Sequence, residues 1–213
     1  MMPLVYKDLY QTRKVLVYCL LIWAIFLGLG MIDTSEEGVG LIYSAGIIIT
    51  NTMLTRILYN EDRYQGIYFM KTLPLKSSLI VTSKFVVGFI LSARSSLLVG
   101  LAASIIWKMG LHGFTTQDAI AATLVSFPFT LIFCGFFLKL YFAYGYAKVA
   151  QYMVLVTIGV VIILSTTQTI LKELTVRTGA ITAPSQAYWL VMLPLIGLIT
   201  YTICWRSTLK SFK

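Results

Sequence analysis

The 213-residue sequence predicts an all-α membrane protein with six transmembrane helices, an amphipathic interfacial helix at the N-terminus, and a short cytoplasmic helix after the second span. Three observations predict it. Charged residues are only 12% of the chain, against about 25% in soluble domains. Hydrophobic residues reach 58% and collect in six runs, each near the ~20 residues that a bilayer core requires. The basic residues between those runs fall almost entirely on one side when the runs are threaded alternately through a membrane.

The first run, 15–32, reads VLVYCLLIWAIFLGLGMI and carries no charge. Arg13 and Lys14 before it imitate a signal peptide, but five apolar runs follow and no small-residue cleavage site stands out, so we read a retained span. The second run is 38–59, with Arg56 near its end, and the third is 85–107, interrupted only by Arg94. The fourth, fifth and sixth are 118–138, 149–171 and 184–205. No loop is long enough for a separate soluble domain, so residues 1–213 form one membrane domain.

Six spans put both termini on one side. That side receives Lys7, Arg13, Lys14, Arg56, Arg63, Lys71, Lys76, Lys84, Lys139, Lys148, Arg206, Lys210 and Lys213. The other receives Lys108, Lys172 and Arg177. Lys- and Arg-rich short loops stay in the cytoplasm, which places both termini there. The net charge of +9 then needs no nucleic acid to explain it.

Catalytic signatures are missing. No G-x-x-x-x-G-K-[ST] loop occurs to cradle nucleotide phosphates, and no H-E-x-x-H. The sole histidine, His112, sits in a short outer loop. Cys19, Cys134 and Cys204 each lie in an apolar run and read as packing residues, not as a disulfide frame or zinc site. No Asp or Glu lies deep in a span to relay protons.

Four polar features remain. In MMPLVYKDLYQTRK, helical spacing puts Val5, Leu9 and Leu16 on one side, Lys7, Gln11 and Lys14 on another, and Tyr6, Tyr10 and Arg13 in a neighbouring stripe. Residues 1–14 are either a helix lying flat on the membrane or a basic leader that fixes orientation. Next comes NEDRYQGIYFMKTLPLK, within the inner loop 60–83. Glu61, Asp62 and Arg63 open a short helix, and Tyr64, Ile67 and Met70 give it an apolar face that wants a partner surface. Leu73–Pro74 ends it. Ser77 or Ser78 then caps the helix that leads into span three.

The third feature is a ridge of small residues in span three, Ser92, Ser96, Gly100 and Ser104, suited to close helix packing. Arg94 lies nearly opposite, about 10 Å from the inner boundary, where it either contacts a substrate or snorkels to headgroups. Asn51 in span two is either an inter-helix hydrogen bond or part of a polar path. The fourth feature is the pair Pro128 and Pro194, which bend spans four and six.

The leader YKDLYQTRK, two spans, and then EDRYQGIYFMKTLPLKSSLIVTSKF together resemble the type 2 permeases of ABC exporters. The positions that carry the likeness are Glu61, Leu73, Pro74, Lys76 and Lys84, with FAYGYAKVA similar to the glycine-containing loop before span five. Lys76–Ser77 stands where family members often have Ser-Arg. The resemblance covers nearly the whole chain and is closest to small single-domain permeases made without their own ATPase.

It implies a bacterial cytoplasmic-membrane protein that pairs with a second permease copy or paralogue above two cytoplasmic ATP-binding subunits. ATP and Mg²⁺ would sit on those subunits, with no cofactor on this chain. The loop after span two would be the coupling helix, with Tyr64, Ile67 and Met70 packed on the ATPase and Asp62, Arg63 and Lys71 at the rim. The N-terminal helix would touch both ATPase and membrane lipid, and spans one, two and five would line the path. A largely apolar wall suits a hydrophobic or amphipathic cargo: a peptide first, otherwise a lipid-linked compound or drug. The alternative is a membrane sensor or immunity protein that binds a membrane-active peptide without turnover.

Overall fold

The computed structural model describes residues 2–13, 15–32, 37–64, 76–109, 116–152 and 183–212. They are helical almost throughout, and no strand occurs among them. We number the helices α1 (Met2–Thr12), α2 (Leu16–Ile32), α3 (Glu37–Arg63), α4 (Ser77–Lys108), α5 (Thr116–Tyr144) and α6 (Ala183–Ser211). Residues 146–152 are helical too, and most of the expected fifth span, 149–171, lies outside the described residues.

By length and composition, two helices among the described residues are able to cross a membrane: α4 and the Thr123–Tyr144 part of α5. A third candidate is α1 joined to Leu16–Leu29 of α2 across a 57° bend. That bend has a local cause. The hydroxyl of Thr12 donates to the Leu9 carbonyl at 2.6 Å, and the amides of Arg13 and Val15 bond to Tyr10 and Thr12 through tight turns. The backbone bonds of α1 are thereby closed off before α2 begins.

Two boundaries differ from the sequence expectation. Helix α4 begins at Ser77, with Lys76 at the N-cap in an extended conformation and no side-chain capping bond, so neither Ser77 nor Ser78 serves as the cap. At the other end of the hairpin, α5 continues to Tyr144, so residues 139–144 are helix and not inner loop. Gly145 supplies the break with φ +80, a conformation that costs other residues a Cβ clash.

Helix α4 is the centre of the bundle and packs against every other numbered helix. Its small-residue ridge is the seat for α5: Ser92 contacts the Cys134 sulfur at 3.4 Å, and Gly100 faces Thr123. The ridge therefore serves packing within the chain. Trp23 of α2 donates its indole N–H to the Leu98 carbonyl of α4 at 2.8 Å, which fixes α2 against the bundle. The α5–α6 contact is closest where Gly197 meets Pro128 and where Gly135 admits the ring of Tyr201. The Tyr201 hydroxyl donates to the Phe85 carbonyl on α4 and sits over Gly88. Small residues here let backbones approach, which is how helices gain dispersion contacts when water supplies no driving force between them.

Candidate functional site

Helix α3 runs through Arg63, so Glu61, Asp62 and Arg63 form its last turn. This corrects the expectation that they open a separate helix. A carboxylate at a helix C-terminus faces the negative end of the dipole. Glu61 is also buried, its side chain only 2% exposed. A buried anion in that position requires a cation, and the chain brings one from 23 residues away.

The cation is Lys84, in the second turn of α4 and 3% exposed. Its ammonium donates to Glu61 Oε1 and, at 2.6 Å, to Asp8 Oδ2 on α1. The Asp8 side chain is 1% exposed. Lys7, at the rim and 43% exposed, donates to Glu61 Oε1 at 3.2 Å and stands 3.7 Å from Asp8 Oδ1. Two carboxylates thus share one buried ammonium, and the rim lysine balances the charge. Asp8, Glu61 and Lys84 each cost several kcal/mol to desolvate, which mutual attraction offsets only while every partner is in place.

The cluster joins α1, the end of α3 and the start of α4 at one point. Burial pushes the Asp8 carboxyl above its ordinary range; Lys84 pulls against that shift, and neighbouring Glu61 adds to it. Tyr141, near the end of α5, lies within electrostatic reach of Glu61, Asp62 and Asp8. Its buried hydroxyl, Asp8 Oδ1 and Glu61 Oε2 make no hydrogen bond among the described residues.

The other expected residues distribute as follows. Asp62, Arg63, Tyr64 and Lys76 are exposed, and the Arg63 guanidinium lies over the Tyr64 ring at 5.8 Å. Ile67, Met70, Lys71, Leu73 and Pro74 lie outside the described residues, as does Lys14. On α1, Tyr6 and Tyr10 are exposed and stacked at 6.3 Å, and Arg13 is exposed. The buried face of α1 is Val5, Asp8 and Thr12. Arg94 is exposed on α4.

Asn51 accepts a hydrogen bond from Thr55 at 3.1 Å and lines a groove of 680 Å³ with Val15, Tyr18, Arg56, Tyr59 and Tyr146. Arg56 also borders a second groove of 590 Å³, with Tyr10, Gln11, Arg13, Asn60 and Tyr64.

Sequence reasoning missed Asp8 and gave Lys84 no partner. A signal existed: Asp8 falls with Val5 and Thr12 on one helical face, and a carboxylate on a buried face implies a cation elsewhere in the chain.

No curated protein and no solved structure matches the chain. A family model described as ABC-2 family transporter protein matches residues 3–213. A match of that extent takes in the bent N-terminal pair, the ion cluster and the helices behind it, and the chain belongs to the ABC-2 family of transporter proteins.

Proposed function

We propose that the chain is the permease subunit of an ABC exporter in a bacterial cytoplasmic membrane, with six spans and both termini in the cytoplasm. It works as a pair with a second copy or a paralogue, above two separate ATP-binding subunits. Its segment 65–75 docks on an ATP-binding subunit and carries the power stroke. The observation that supports this most is the Lys84 bridge to Glu61 and Asp8. The two roots of that segment, α3 and α4, are tied to each other and to α1 by charges that cannot separate cheaply. A push on the segment then moves three helices together instead of bending a loose connector.

In this reading, nucleotide-driven closure of the two ATP-binding subunits displaces the segment, and the ion cluster passes the displacement to α1, α3 and α4. The groove along α2 and α3, with tyrosines, Asn51 and an apolar wall, supports a hydrophobic or amphipathic cargo, a peptide first. The chain itself hydrolyses nothing.

The test is co-expression of the full chain with candidate ATP-binding subunits. The reading expects a stoichiometric complex with permease-stimulated ATPase activity. Leu73→Asp should abolish the stimulation while the chain still inserts; normal stimulation in that variant contradicts the reading.

A further inference from the structure

We infer that the groove between α1 and the last three turns of α3 binds the phosphate headgroup of an anionic membrane phospholipid. The lining carries two guanidiniums, Arg13 and Arg56, with the side chains of Tyr10, Gln11, Asn60 and Tyr64, and no carboxylate. Neither arginine takes part in an ion pair among the described residues, where Asp8 and Glu61 are taken up by Lys84 and Lys7. The Arg56 guanidinium lies 5.9 Å from the centre of the Tyr59 ring, which favours a planar, ordered fork. A fork of that kind recognises phosphate with two parallel bonds.

The site has a tail path as well as a head. Arg56 opens onto the adjoining groove, whose wall includes Val15 and Tyr18 at the start of α2. From Tyr18, an exposed stripe continues along α2 through Leu21, Ile25 and Leu29. Eleven residues of helix at ~1.5 Å each span about 16 Å, close to half of a ~30 Å hydrocarbon core. One leaflet's acyl chains therefore match the stripe in length. The 57° bend between α1 and α2 puts the arginines at its polar end, where a leaflet presents its phosphates. A free phosphate ion would use the arginines alone; the continuous apolar stripe favours a lipid. This site stands whether or not the chain couples to an ATPase.

The experiment is a native mass spectrometry titration of the purified full chain with phosphatidylglycerol or phosphatidylcholine of identical acyl chains. Both lipids carry the phosphodiester, but choline adds a cation that the two guanidiniums repel, so wild type should hold phosphatidylglycerol at least about tenfold more tightly. R56Q and R13Q should each weaken phosphatidylglycerol by about tenfold and narrow its preference over phosphatidylcholine. R206Q, an exposed arginine of α6 that lines neither groove, should behave as wild type. Equal binding of both lipids by wild type overturns the inference without reference to any variant's folding. An equal loss in R206Q overturns it too, since the preference would then be general surface charge. Displacement of the lipid by an equal concentration of sn-glycerol 3-phosphate would make the site one for free phosphate, and the lipid assignment would fall.

Discussion

Lys84→Met is the most informative single perturbation. It replaces the buried ammonium with an apolar side chain of similar length and leaves Asp8 and Glu61, 1% and 2% exposed, with only the rim lysine Lys7 between them. Removing one partner of a buried ionic group costs about 3–5 kcal/mol, because the remaining charges stay desolvated. For a chain of this size each kcal/mol shifts the melting temperature by about 2–4 °C, so a fall of roughly 6–20 °C is expected. The assay is built into the protein: Cys19, Cys134 and Cys204 are free and buried, so a thiol-reactive fluorogenic dye reports unfolding in mild detergent. The triple variant Lys84→Met, Asp8→Asn, Glu61→Gln removes all three charges together and should recover most of the loss, since replacing a whole buried network is often near neutral. If the triple variant is stable yet fails to stimulate a partner ATPase, the cluster serves coupling as well as folding. A Lys84→Met melt within about 2 °C of wild type would refute the reasoning.

The remaining predictions use the same melt. In Gly197→Ala, the new Cβ would lie 2.6 and 2.7 Å from the Cβ and Cα of Pro128, so α5 and α6 must part; a loss of about 1–3 kcal/mol is expected, and an unchanged melt contradicts the contact. Tyr201→Phe removes the hydroxyl that donates to the Phe85 carbonyl and should cost about 0.5–1.5 kcal/mol; Gly88→Ala should cost less in that background than in wild type, because its new Cβ then crowds only Leu138 Cδ1 at 3.1 Å and no longer the hydroxyl. Asp8 gives the pH dependence. Its folded-state carboxyl is raised above 3.8, so the folded chain holds that proton more readily than the unfolded chain does. The resulting stabilisation is fully present below the ordinary carboxylate range and is lost as pH rises through the raised value. The melting temperature of wild type relative to Asp8→Asn should therefore fall over that window; a difference that rises with pH has the wrong sign.

Much of the fold was legible because lipid imposes a simple demand: long charge-free runs must be helices with their backbone bonds satisfied internally. The runs 85–107 and 118–138 correspond to α4 and α5. The boundaries were less legible. Glu61, Asp62 and Arg63 looked like the start of a new helix because local rules put carboxylates at N-termini. A bond to Lys84 overrides that preference, and no local window contains it. The same distance hid Asp8, whose partner lies 76 residues away. Residues 139–144 fell between the expected spans 118–138 and 149–171, but Tyr141 is buried at 2% and α5 runs on to the Gly145 break. Polar and aromatic residues beside a membrane boundary signal an interface, not a helix end.

The account rests on one claim: the segment between Tyr64 and Lys76 grips an ATP-binding subunit. The direct measurement is photo-crosslinking from an unnatural amino acid at Ile67 or Met70 in the full chain co-expressed with that subunit, with Lys108 at the far end of α4 as control. The account predicts an adduct of permease plus ATP-binding subunit from positions 67 and 70, changed in yield by trapped nucleotide, and none from position 108. Adducts absent at both loop positions in a complex that still hydrolyses ATP would contradict it.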